Sequence, residues 1–217
     1  GFLLGERNWW AFVRPPFYSD VAIKPLFVWD PRSGRQGVRC NSLVQTHDLP
    51  ATLLEYFGVP RPPDMDGRSI APAAADDTEV REAGLYGVFG GHVNVTDGRF
   101  VYMRAPISAA NGPLFNYTLM PTHMRQFFSP EELRAATQVA PFKFTKGCPV
   151  LQVPGKAFMA KSYDDGHLLY DLETDPGQTQ PLQDPALETR MIALLRRLMQ
   201  ANDAPLEQYD RLGLARP

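Results

Sequence analysis

Apolar positions recur along this chain in three patterns, and each predicts a different element. In "LVQTHDLPATLLEYFGVPRP" the residues Leu49, Leu53 and Phe57, joined by Leu54, share one face at helical spacing. Asp48 stands before the run as an N-cap, Pro50 fits the first turn, and Gly58 and Pro60 end it. Leu187, Met191, Leu194, Leu195 and Leu198 form a longer stripe behind Asp184 and Pro185, which predicts a second amphipathic helix packed on a core. Ser129, Pro130 and Glu132 open a short helix with a capping box. Leu26-Phe27-Val28-Trp29 is an uninterrupted apolar run and predicts a buried strand of an α/β sheet. Val93 and Val95 instead alternate with polar residues, Thr96-Asp97-Gly98-Arg99 supplies a turn, and Phe100 and Tyr102 return. That hairpin needs further strands, and "GHLLYDLETDPG" offers one. Residues 106–160 read mostly as aromatic-rich loops, and 204–217 as a surface tail.

Composition narrows the setting. With 217 residues, 44% hydrophobic and 21% charged, the chain suits one large domain or a domain plus an appendage. Its 21 prolines and 17 glycines are scattered, which predicts many short elements with structured turns. The Ala-rich, acidic stretch 73–81 marks the internal boundary. A net charge of -2 gives no pull toward nucleic acid or an anionic membrane, and no apolar run approaches the roughly 20 residues that span a bilayer. Cys40 and Cys148 lie far apart without a CxxC pattern; they read as unpaired small apolar residues, with a disulfide left open. Asn94-Val95-Thr96 and Asn116-Tyr117-Thr118 match the glycosylation sequon, a pattern common by chance. The opening "GFLLGERNWWAFVRPPFYSD" has no polar lead-in and reads like the interior of a longer chain.

Leu4-Gly5-Glu6, "PLFVWDP", "THDLPATLLEYFGVP", "DGRSIAP" and "LYDLETDPGQTQPL" follow one another in one order. Together they resemble the C-terminal part of the sulfatase family, in the alkaline-phosphatase-like superfamily, whose architecture related phosphonate and phosphodiester hydrolases share. The resemblance implies an α/β fold: the end of an α/β sandwich over 1–72, then an α+β subdomain over 82–203 with an antiparallel sheet and a long C-terminal helix, then the tail 204–217. It implies sulfuric ester hydrolysis in an intact parent, this segment supplying scaffold and pocket wall and being inactive alone. Formylglycine, made from Cys or Ser in a C/S-x-P-x-R motif, and a divalent metal, calcium, would belong to an N-terminal catalytic half, with metal ligands just before Gly1. That motif does not occur here; Cys148-Pro149 lacks its spacing. The implied partners are that catalytic half and a small sulfate- or phosphonate-ester substrate, with self-association of the segment through its open strand.

Sulfate-ester cleavage needs a nucleophile, a divalent cation and positive groups on the equatorial oxygens. Where the family often places a sulfate-contacting lysine, this chain has Phe12, which carries neither charge nor donor. Arg7 stands where a histidine is frequent. The segment therefore offers no catalytic residue of its own, and its pocket candidates are Arg7, Arg14, His92 and His123. Arg7, next to Glu6, also reads as a solvated helix start. His92 lies in "FGGHVNVTDG", where two glycines permit close backbone approach, and His123 in an aromatic, Met-rich loop. Ordinary packing is the competing role for both. Phe12 also favours a second reading, a diverged, non-catalytic relative that binds a ligand or partner.

Overall fold

Residues 1–12, 15–32, 34–157 and 161–217 are described by the computed structural model of the chain. Strands β1 (Phe2–Leu4) and β2 (Trp10–Phe12) pair antiparallel, with Leu3 opposite Ala11. Gly5 at the turn takes φ 118°, a backbone an L side chain rarely adopts. Strand alternation then splits the ribbon: Leu3 is buried, while Phe2, Leu4, Trp10 and Phe12 project from the opposite face and are exposed. Helix α1 (Ser19–Ala22) packs on β1 and buries Val21.

The predicted strand at Leu26–Trp29 does not form. Residues 23–30 have no regular structure, and Phe27 is 94% and Trp29 84% exposed. A central strand needs a partner for its N–H and C=O groups, and no described segment pairs with this one. Over 1–72 the structure therefore shows a two-stranded ribbon and short helices in place of the expected sandwich sheet.

Helix α2 (Asp48–Tyr56) forms where the pattern placed it, with His47 at the cap position and Asp48 one residue inside. Its buried face is Asp48 and Ala51, while Leu53, at 57%, and Phe57 on the apolar face are exposed. Asp48 explains which side turns inward. Its carboxylate accepts from Gln45 N at 2.7 Å, from Arg68 N at 2.8 Å and from the Arg81 guanidinium. Thr52 Oγ1 accepts from Ile70 N at 3.0 Å, so the "DGRSIAP" turn is bolted onto the first turns of α2. Gly67 fits because a Cβ there would lie 2.1 Å from His47 O. Helix α3 (Ala71–Asp76) follows and runs into the 73–81 stretch expected to be the internal boundary.

The remaining chain builds two antiparallel sheets. β3 (Gly84–Gly87), β4 (Val93–Thr96) and β5 (Phe100–Arg104) form a meander that contains the predicted hairpin. Residues 106–160 are more regular than expected: β6 (Phe115–Thr118), helix α4 (Pro130–Ala135), β7 (Thr137–Val139) and β8 (Val150–Pro154) give a three-stranded sheet in the order β6-β8-β7. The Ser129–Glu132 capping box on α4 is present. Helix α5 (Ser162–Asp165) leads into β9 (Leu168–Asp171), which completes the larger sheet as β3-β4-β5-β9.

Helix α6 (Pro185–Ala201), capped by Asp184, lays Met191, Leu194 and Leu195 on one face of that sheet against Val95, Tyr102 and Leu169. The presumed surface tail is part of this core. Helix α7 (Leu206–Leu212) buries Tyr209 and Leu212, and Leu214 follows them in. The opposite face of the sheet carries Val101, Met103 and Tyr170, covered in part by Tyr18 from the N-terminal segment. The architecture is thus mixed α and β, with several antiparallel sheets and a long C-terminal helix. None of the helices among the described residues is long and apolar enough to cross a membrane.

Candidate functional site

Two clefts border the N-terminal segment, the first against β9 and the DPGQTQ turn and the second against Ala157, Lys161 and Asp165, and Arg7 and Tyr18 line both. The first, about 670 Å³, adds Glu6, Asp20, Tyr170 and Gln178. The second, about 790 Å³, adds Trp9, Lys161 and Asp165. Both mix cations with carboxylates, so neither presents a purely positive lining to an anion.

Arg7 sits in the left-handed region at φ 55° and spends its guanidinium on the protein. Nε donates to Asp20 Oδ2 at 3.0 Å, Nη2 to Gly177 O at 2.8 Å and Nη1 to Gln178 O at 3.4 Å, and the plane lies 3.5 Å from the Tyr18 ring centroid. Gln178 in turn accepts from Ser19 N at 2.6 Å. The turn that receives Arg7 is set by Asp175, whose carboxylate accepts from Gln180 N and Thr179 N at 2.8 Å each. Those N–H groups, Gln180's first, hold the Asp175 carboxyl below its usual range. Within "LYDLETDPGQTQPL", then, the DPGQTQ turn is a clasp for the N-terminal segment, and Arg7 is the pin.

The other sequence-derived candidates go elsewhere. Arg14 lies outside the described residues. His92 is 3% exposed, its Nε2 2.9 Å from Gly166 O, and burial holds its imidazole below the usual range. His123 faces Glu132 at 2.7 Å and packs edge-on to Phe128, tying its turn to α4. Neither histidine lines the two clefts around Arg7. Phe12 is 70% exposed on the apolar face of the ribbon. His167 is exposed, although its Nδ1 accepts from Ala105 N at 3.1 Å. Asn94 is buried in β4, which closes that sequon to modification, whereas Asn116 is exposed. Cys40 and Cys148 are both free and exposed.

Sequence reasoning passed over Tyr18, Gln178 and Arg211. Gln178 lies inside a motif already singled out, and its role needs the distant Arg7 and Ser19 to become visible. Arg211 is 2% exposed and donates to the Gly91 carbonyl at 3.2 Å, to Asn111 Oδ1 at 2.9 Å and to Gln208 Oε1 at 2.9 Å. Burial lowers its guanidinium to about 10. Among the described residues no group of three or more His, Cys, Asp or Glu is placed to hold a metal ion. Calcium takes six to eight oxygen ligands, several of them carboxylates, and the described residues gather no such carboxylate cluster.

No family model matches the chain. A stretch of 90 residues is 28% identical to an N-acetylglucosamine-6-O-sulfatase of Bacteroides thetaiotaomicron, covering 40% of this chain and 16% of that protein. The chain therefore has a distant and partial likeness to a sulfatase, and the match spans less than a fifth of that relative's length.

Proposed function

We propose that this chain is the C-terminal segment of a sulfatase-like, metal-dependent ester hydrolase, supplying scaffold and a pocket wall to a catalytic half carried by other polypeptide. The observation that carries the reading is the 28%-identical stretch shared with a sulfatase. The exposed apolar faces support it: Phe2, Leu4, Trp10 and Phe12 on the ribbon, Phe27 and Trp29, and the outer side of α2 form surface that other chain would cover. Formylglycine and calcium belong, in this reading, to the catalytic half. The substrate is a small sulfate ester, and the relative's name makes a 6-O-sulfated amino sugar the first to try.

This chain's contribution is positional. Arg7, Asp20 and Tyr18 hold the N-terminal segment against the DPGQTQ turn, and Trp9 and Lys161 face the larger cleft. Lys161 is a cation able to meet a sulfate oxygen there. The test is hydrolysis of an aryl sulfate. The isolated chain should show none, with or without divalent metal, whereas a polypeptide that adds the catalytic half should turn over in a calcium-dependent way. Phe12 in the lysine position favours a second reading, a binding protein without turnover, which the same assay distinguishes when the longer polypeptide is silent and still binds the sulfated sugar.

A further inference from the structure

The turn between β3 and β4 carries a buried histidine that the proposed hydrolase role does not use. His92 Nε2 lies 2.9 Å from the Gly166 carbonyl, so Nε2 carries the proton and donates, leaving a lone pair on Nδ1. That Nδ1 is buried with no hydrogen-bond partner. Gly166 ends α5, and the segment 161–166 contributes Lys161 and Asp165 to the larger cleft. The two sides of the contact are held unequally. Arg211 on α7 donates to the carbonyls of Gly90 and Gly91, fixing the turn that carries His92 to the core. Helix α5 is a single turn, and its Ser162 hydroxyl is buried without a partner.

We propose that His92 is a proton-operated latch: the neutral imidazole holds segment 161–166 against the larger cleft, and protonation releases that wall. An imidazolium would place a second N–H where no described acceptor meets it. The ionic groups facing it are Asp165 on α5, which favours the charged ring, Arg211 on α7, which opposes it, and His167, whose positive form would repel a charged His92. Burial outweighs both the Gly166 carbonyl and Asp165, which favour the charged ring, and holds the closed-state imidazole below its ordinary range. The sign follows. The latch is intact above the ordinary histidine pKa of about 6.5, and each pH unit below it makes opening about tenfold easier until the closed-state value is reached.

The latch is read without substrate or turnover, so its failure and that of the hydrolase reading are separate results. Amide hydrogen exchange of the 217-residue chain, expressed as protection factors to remove the intrinsic pH dependence, is followed from about pH 7.5 to 5. Protection at 163–166 should fall as the pH drops below about 6.5, by at most about tenfold per pH unit, with α6 unchanged. His92→Gln keeps a donor for Gly166 and cannot titrate, so its protection should be flat; His167→Gln should keep the fall. A flat wild type, a fall that persists in His92→Gln, or one abolished by His167→Gln overturns the proposal. Should a variant fail to fold, NMR titration of the wild-type imidazoles decides: the fall must track His92, and tracking His167 overturns it.

Discussion

A carboxylate sealed from solvent is tolerated only where donors surround it, and Asp48 has two backbone N–H groups and the Arg81 guanidinium. Asp48→Ala leaves Arg81, itself nearly buried, without its counter-charge. The expected loss is about 3–5 kcal/mol, measured by urea unfolding. Gly67→Ala should also destabilise, because its new methyl meets the rigid His47 carbonyl and not a flexible side chain. Arg7 acts through geometry: a planar fork bridges a carboxylate and two carbonyls while stacking on Tyr18. Lysine cannot do both. Arg7→Ala and Arg7→Lys should each speed proteolysis near residues 1–12 while leaving the α6 core folded; equal resistance in both variants would remove the pin from the account. At this scale the sequence was half legible. The motifs around Asp48 and Asp175 stood out as turn and cap chemistry, but their partners Arg81 and Arg7 lie 33 and 168 residues away, and local pattern carries no signal over such distances.

Periodicity tells which face of an element is apolar, and burial depends on what meets that face. α6 and α2 both show helical spacing. The α6 stripe meets a four-stranded sheet and becomes core, whereas α2 turns Asp48 and Ala51 inward and leaves Leu53 outside. Leu195→Ala should therefore cost about 2–5 kcal/mol in chemical denaturation. Leu53→Ala should stay within about 0.5 kcal/mol. A large loss at Leu53 would mean that α2 is covered in solution. The hairpin of β4 and β5, the β9 strand and the α4 capping box were legible because their signals are local. The strand at 26–29 misled because an apolar run predicts burial only if neighbours exist. The second sheet and α7 were missed because their segments are short and their pairing is non-local.

For the whole molecule, the exposed apolar residues concentrate before residue 60, on the ribbon, the 23–29 segment and α2, with a smaller group at Met120, Met124 and Phe127. Surface of this kind recruits other apolar surface. The isolated chain should bind a hydrophobic dye and self-associate. Replacing Phe2, Trp10 and Phe12 together with serine should reduce both without lowering the melting temperature of the α6 core; unchanged association would place the sticky surface elsewhere. The proposal that this chain is scaffold to a catalytic half draws on the partial likeness to a sulfatase and on the uncovered N-terminal faces. The most direct test is aryl-sulfate hydrolysis, with and without calcium, by the purified 217-residue chain and by the longest natural polypeptide that contains it. The account predicts no turnover by the chain alone and calcium-dependent turnover by the longer polypeptide. Metal-dependent turnover by the chain alone, or a silent longer polypeptide with an intact C/S-x-P-x-R motif, would contradict it.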